Sequence, residues 1–265
     1  MEGLRRAADP SDHFAVTPLE IAAILAAGMA AGTINAIVGS GSLITFPTLL
    51  AFGYSPLVAN VSNTIGLVPG SISGAVGYRS ELVAVRGRAV PLVVASLLGA
   101  VTGAVLLLVL PASAFERVVP ILILGAVLLV AFQPRISRWL TARHGEGAEH
   151  AATLFVTVFA SGIYGGYFGA GQGVILFALL AIFLTDDLRQ VTGLKNVLQA
   201  LVNAVSGIIF IFVATVAWEP ALLIAIGSVI GGQVGARVGR RLPAVALRAF
   251  IVVLGTAVAL RLFIG

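Results

Sequence analysis

The sequence has no cysteine, which excludes disulfides, thiolate metal ligands and a cysteine nucleophile together. Charge is scarce as well. Asp, Glu, Lys and Arg make up 10% of the residues, against roughly 25% in an ordinary soluble domain, so most of the surface faces something other than water. Lysine is almost missing: the net charge of +5 comes from 15 Arg and a single Lys against 11 acids. Nearly all of these fall between apolar runs, a distribution that reads as membrane topology and not as nucleic-acid binding. The acids Glu20, Glu81, Glu116, Asp186, Asp187 and Glu219 lie at segment ends or in loops, and His13, His144 and His150 lie outside the segments. No carboxylate is clearly placed mid-span as a proton relay. The Ser with a membrane His, or the paired membrane aspartates, that intramembrane proteolysis requires are also missing. No catalytic residue, metal site or cofactor is expected. The first 17 residues carry Arg5, Arg6, Asp9 and Asp12 but no short apolar run ahead of a small-residue cleavage site, so no signal peptide is expected.

What the chain does have is hydrophobicity, with 59% apolar residues and a mean hydropathy of +1.07. Apolar segments run over about 18–38, 43–53, 57–78, 89–110 and 115–133, and again over about 152–168, 173–185, 190–216, 220–240 and 245–264. Runs of about 20 residues parted by short polar loops are the pattern of transmembrane helices. The expected fold is an all-α integral membrane protein. A tail over 1–17 precedes a first repeat over 18–133, and a linker over 134–151 precedes a second repeat over 152–265.

Landmarks recur in the same order in the two repeats. Gly39-Ser40-Gly41-Ser42 before LITFPTLL matches Gly169-Ala170-Gly171-Gln172 before GVILFALL at an offset of 130, and Gly32 matches Gly162. Asn63 with Ser73-Gly74 matches Asn196 with Ser206-Gly207 at 133, and Leu110-Pro111 matches Leu242-Pro243 at 132. Ordered matches with small length changes are what a duplication leaves. The positive-inside rule then orients them. If Arg79, Arg86 and Arg88 share the cytoplasm with Arg135, Arg138 and Arg143, an inverted second half places Arg189, Arg237, Arg240, Arg241 and Arg248 there too. A parallel second half would send the 237–248 cluster outward. The expectation is two inverted five-segment repeats, with the linker cytoplasmic and the N-terminus outside.

The second and seventh segments are short. Leu43 to Phe52 is 10 residues, about 15 Å of helix, half of a hydrocarbon core of about 30 Å. Each is read as a half-helix in a Gly-rich hairpin that dips into the membrane. A turn such as Gly39, Ser40, Gly41 and Ser42, or Gly169, Gly171 and Gln172, presents N–H donors and a positive helix end, which suits an anion near the midplane. The same glycines equally suit a tight hairpin and close packing with no ligand. Lys195 lies inside an apolar stretch, where an ionisable group is a functional candidate; the competing reading has it snorkel to the interface, near Asp186 or Asp187. Asn196, Gln199 and Asn203 form one helical stripe beside it, and Asn60 and Asn63 occupy the corresponding helix of the first half. All five amides also suit interhelical hydrogen bonding. Asp186-Asp187 is expected to cap the following helix.

The runs GTINAIVGSGSLITFPTLLAFGY, ANVSNTIGLVPGSISGAVGYRSEL, YGGYFGAGQGVILF, GLKNVLQALVNAVSGIIF and GGQVGARVGRRLP resemble the two halves of the sulfite-exporter TauE/SafE family, also called the TSUP family. The likeness covers nearly the whole chain from about residue 18, and it is specific for the family and not for a solute. It implies a bacterial-type carrier in the cytoplasmic membrane for sulfur-containing anions such as sulfite, sulfoacetate or other organosulfonates. It also implies that the Gly-rich hairpins and the polar third helix of each half line the path. One departure within the repeat is that Lys195 aligns with Ser62. The expected function is a secondary transporter with a small anionic solute and the lipid bilayer as partners, and no nucleic acid. A carrier for a non-sulfur anion and a non-transporting membrane scaffold are the alternatives.

Overall fold

A computed structural model describes residues 16–82, 86–142, 151–238 and 244–264. The described residues form eleven helices and no strand: α1 (Pro18–Ile37), α2 (Ser42–Ala51), α3 (Pro56–Gly77), α4 (Arg79–Leu82), α5 (Arg86–Val109), α6 (Ala112–Ala142), α7 (Ala151–Tyr167), α8 (Gln172–Phe183), α9 (Leu188–Val213), α10 (Trp218–Val238) and α11 (Ala244–Ile264). Five of them are long and apolar enough to cross a membrane. Arg5, Arg6, Arg143, Arg240 and Arg241, and the side chains of Arg86, Arg88 and Arg248, on which part of the orientation argument rests, lie outside the described residues.

Local chemistry sets the helix ends. Thr17 and Glu20 close a capping box at the start of α1, with Pro18 in the first turn. Asp187 does the same for α9, accepting from Arg189 N at 2.7 Å while Gln190 accepts from Asp187 N at 3.2 Å. Pro111 lies between α5 and α6, where it cannot donate to the preceding turn. The ten apolar segments all appear as helices, with α4 added between α3 and α5. α6 runs on through Pro134 to Ala142, so the first part of the stretch read as a linker is helical. The two short segments are α2, 10 residues, and α8, 12 residues.

Helix pairings come in couples. α1 packs on α10 as α7 packs on α5; α3 on α10 as α9 on α5; α2 on α11 as α8 on α6; and α3 with α9, like α6 with α11, pairs with its own counterpart. Direction is read from the contacts. Gly28 lies against Ile224 and Gly227, and Gly32 against Ser228 and Gly232, so α1 and α10 run the same way. Gly99 against Phe159 and Gly162, with Gly103 against Ile163 and Tyr167, gives the same sense for α5 and α7. α3 and α9 run opposite ways: Ile65 and Val68 meet Gly207, whereas Ser71 meets Asn203.

Small residues make these crossings possible. At Gly32 an added Cβ would sit 2.2 Å from the Ser228 carbonyl oxygen, so backbones touch there as in other membrane helix pairs. Thr33 reinforces the seam by donating to Gly231 O at 3.0 Å. Large apolar side chains point outward instead. Phe212 is 82% exposed and Val253 69%, which suits lipid and not water.

Gly32→Ala should therefore destabilise the protein by about 1–3 kcal/mol through overpacking. Gly125, which has nothing within 4 Å of an added Cβ, should tolerate Ala with no loss, and helix propensity adds up to about 1 kcal/mol in its favour. Thermal unfolding of the two variants in detergent checks the contrast.

Candidate transport site

The site begins at two helix breaks. The chain turns between α1 and α2 through Gly39, at φ 84°, and between α7 and α8 through Gly169 and Gly171, at φ 78° and 77°. These left-handed conformations are open to glycine at little cost. Neither short helix has a side-chain cap: Gly41 and Gly171 stand at the N-cap positions with no side chain to satisfy the first N–H groups. The tips touch. Gly173 N donates to Gly39 O at 3.0 Å, and an added Cβ on Gly39 would sit 2.4 Å from Gly173 Cα. Behind the contact, Phe46 of α2 meets Phe168 edge-on, with centroids 5.4 Å apart.

The last carbonyls of α1 have no partners within their own helix and carry the negative end of its dipole. α1 holds no basic residue in its last turn. α9 supplies the donors from across the molecule. Lys195 Nζ donates to Asn35 O at 3.3 Å and Asn196 Nδ2 to Ala36 O at 3.2 Å, while Gln199 Nε2 reaches Gly39 O at 3.4 Å. Lys195 is 1% exposed, so it does not snorkel; its amine points into the protein.

A second layer of bonds fixes these groups. Asn35 Oδ1 accepts from Gln199 Nε2 at 3.0 Å and from Gly41 N at 3.3 Å, which ties the break to α9. Asn35 Nδ2 and Asn203 Nδ2 both donate to Ser71 Oγ, at 3.2 and 3.0 Å. A narrow cleft beside this network is lined by Asn35, Ala36, Gly70, Ser71, Gly74, Asn196 and Gln199.

The second hairpin is held more lightly. Asn60 Nδ2 donates to Tyr167 O at 3.1 Å, and Gln172 Nε2 to Ser161 O at 3.2 Å within the hairpin. The Tyr164 hydroxyl closes the turn on Ala170 O. Asn63 faces Thr45, which donates to its amide oxygen inside the first half. Thus Gly39, Gly41, Lys195, Asn196, Gln199 and Asn203 are brought together, Asn60 joins the end of α7, and Asn63 lies apart from the α9 network. Ser40 is buried with no partner for its hydroxyl, as is the Gln172 amide oxygen. Ser42, the first residue of α2, is half-buried. Sequence reading missed Asn35 and Ser71, the joints of the network. Asn35 carried a signal, being an amide inside an apolar run four residues before the break.

The family model for "Sulfite exporter TauE/SafE" matches residues 24–262. The chain belongs to that family. Among its relatives is a probable membrane transporter protein of Sinorhizobium sp., 28% identical over 242 residues that cover 91% of this chain and 92% of that protein. Another is the probable membrane transporter protein YfcA of Escherichia coli K12, 27% identical over 225 residues, 84% of this chain and 82% of that one. A probable membrane transporter protein of Haemophilus influenzae is 27% identical over 223 residues, covering 82% and 84%. No solved structure matches. This TauE/SafE member is a multi-pass membrane transporter.

Ser71→Ala leaves two buried amides without their acceptor. An unpaired buried polar group costs about 1–3 kcal/mol, so the melting temperature should fall. Asn203→Leu should cost less in the Ser71→Ala background than alone, because the two share one bond. A double-mutant cycle of thermal stability measures this.

Proposed function

We propose that the protein is a secondary transporter that moves a small sulfur-containing anion, such as sulfite, thiosulfate or an organosulfonate, across the cytoplasmic membrane by alternating access. One arrangement carries the reading: two half-helices without side-chain caps meet tip to tip beside the buried Lys195, whose amine donates to a backbone carbonyl, and no Asp or Glu is buried among the described residues. Uncapped helix starts favour anions, and a buried cation left unpaired is costly until an anion joins it. The family description names sulfite export, and it supports the choice of sulfur oxyanions.

The coupled pairings and the antiparallel α3–α9 crossing support two inverted repeats that exchange roles as the protein opens to either side. In this reading the solute enters where the tips part. Lys195 leaves the Asn35 carbonyl to meet the anion, and N–H groups at the helix starts, such as Gly173 N once it parts from Gly39 O, complete its hydrogen bonds. The linker faces the cytoplasm and the N-terminus lies outside, in keeping with the Arg distribution.

Proteoliposomes holding the full chain should take up labelled sulfite, thiosulfate or an organosulfonate above empty vesicles; absence of flux for all of them overturns the sulfur assignment. Lys195→Met removes one charge-assisted hydrogen bond of about 1.5–3 kcal/mol, so the half-saturating solute concentration should rise about ten- to hundredfold.

The lack of native cysteine permits a direct test of access. Ser40→Cys and Gln172→Cys should react with a membrane-impermeant maleimide from opposite sides, more slowly when solute is present. Labelling of both from the same side, unaffected by solute, counts against alternating access.

A further inference from the structure

The helices are not all held together in the same way. An added Cβ would sit 2.2 Å from Ser228 O at Gly32, 2.0 Å from Met29 O at Gly231 and 2.1 Å from Ile163 O at Gly103, so α1 touches α10, and α5 touches α7, backbone to backbone. Each of these pairs takes one helix from either repeat. Hydrogen bonds cross the repeats in the same region. Lys195, Asn196 and Gln199 of α9 reach the end of α1 or the turn after it, Ser228 Oγ of α10 donates to Gly66 O of α3 at 3.1 Å, and Gln233 Nε2 donates to Ser73 Oγ at 2.8 Å. One repeat cannot tilt against the other without parting these backbones and leaving buried polar groups unpaired, which is costly away from water. Helices α1, α3, α5, α7, α9 and α10 therefore make one body drawn from both repeats.

The α6–α11 pair is joined differently. Its two helices hold each other, with an added Cβ at Gly255 only 2.4 Å from Val127 Cγ2, and they meet the rest chiefly at the half-helices α2 and α8 and at α3. That seam is apolar. Phe115 meets Tyr167 and Phe168 edge-on, with centroids 5.5 and 6.3 Å apart, and Ala126 Cβ lies 3.4 Å from a Cβ added at Gly171. Val119, Ile123, Val130, Ile251 and Ala259 of the pair are buried as well. The interhelical hydrogen bonds named above all lie outside this seam. Apolar surface slides on apolar surface, or exchanges it for lipid tails, with little change in free energy; the hydrogen-bonded body has no such freedom.

From this division we infer that transport moves the α6–α11 pair, as one unit, along the hairpin tips of the remaining helices, and that the two repeats do not tilt against each other. The inference rests on the transport reading above and names its moving parts. Because Ala126 lies against Gly171, at the start of α8, and α11 lies on α2, a shift of the pair covers and uncovers the tips. α6 and α11 are also counterparts in the two repeats, so one sliding unit serves both sides of the membrane.

Two disulfides, introduced into a chain without native cysteine, test the division. A Cβ added at Gly255 lies 4.0 Å from Val127 Cβ, and one added at Gly171 lies 3.4 Å from Ala126 Cβ, near the separation of about 3.5–4.5 Å that a disulfide spans. Val127→Cys with Gly255→Cys locks α6 to α11 and so locks one repeat to the other. Ala126→Cys with Gly171→Cys locks the pair to the rest. Uptake of labelled taurine and sulfoacetate by proteoliposomes of the full chain is measured oxidised and reduced; sulfite is avoided because it cleaves disulfides. The first lock should leave uptake unchanged, and the second should stop it until reductant is added. Loss of uptake on closing the first lock, with recovery on reduction, overturns the inference in favour of tilting repeats.

Distances between spin labels give a second reading that needs neither flux nor a cysteine at Gly171, whose left-handed backbone strains any side chain. In vesicles, labels at Leu128 of α6 and Val253 of α11 should report one distance, and labels at Leu128 and Leu222 of α10 should report two; all three residues are exposed. Two distances for the first pair of labels, or one distance for both pairs, defeats the inference. The expected distances with no uptake of either sulfonate count against the sulfonate reading and uphold the moving parts.

Discussion

Everything in this structure depends on how broken helices are satisfied away from water. A helix that stops inside an apolar protein leaves carbonyls at one end and N–H groups at the other without partners, and the bilayer supplies none. α1 solves half of this problem by borrowing Lys195, Asn196 and Gln199 from α9, a helix of the opposite half. The starts of α2 and α8 are left uncapped by any side chain. One end of each break is thus sealed by protein from across the molecule, and the other is closed by short backbone turns, such as Leu43 N to Ser40 O and Gln172 N to Gly169 O, both 3.1 Å.

That borrowing explains why the halves interlock. α1 lies along α10 and α7 along α5, so each broken hairpin is seated on the other half. Glycine makes the seating close, since at Gly32, Gly103 and Gly231 a Cβ would collide with a neighbouring carbonyl. Membrane helices gain little from burying apolar surface against one another and rely on close packing and hydrogen bonds instead. The amide and lysine ties between α9 and α1 are therefore structural joints. The two hairpins are not tied equally. Three α9 side chains hold the first tip, whereas the α3 donor to the second is Asn60; in the first half Ser62 stands where Lys195 does and accepts from Ala217 N, and Asn63 is taken up by Thr45.

Much of the fold was legible before any coordinates. Hydrophobic length gave ten membrane segments, and the Gly-Ser-Gly-Ser and Gly-Ala-Gly-Gln runs placed the breaks, because a left-handed backbone needs glycine. Asp187 was readable as a cap because its side chain acts within one turn of the chain. The extension of α6 past Pro134 was not, since a polar, Arg-rich sequence can continue a helix without any hydrophobic signature. At the site, Lys195 stood out as an ionisable residue within a span, yet its surroundings left two readings open. Burial against α1 decided between them.

What the sequence by itself determined were the properties set by short-range physics: membrane residence, helix lengths, caps and the positions of the two breaks. Which residues meet was decided by tertiary structure alone. Asn35 and Ser71 are ordinary polar residues in sequence, and they become joints only because α1, α3 and α9 cross at one place. Asn63 is as amide-rich a candidate as Asn196, but it faces Thr45 in its own half. The reason is geometric: hydrogen bonds act over about 3 Å, and the partners here lie up to 164 positions apart along the chain, a proximity that local sequence does not encode.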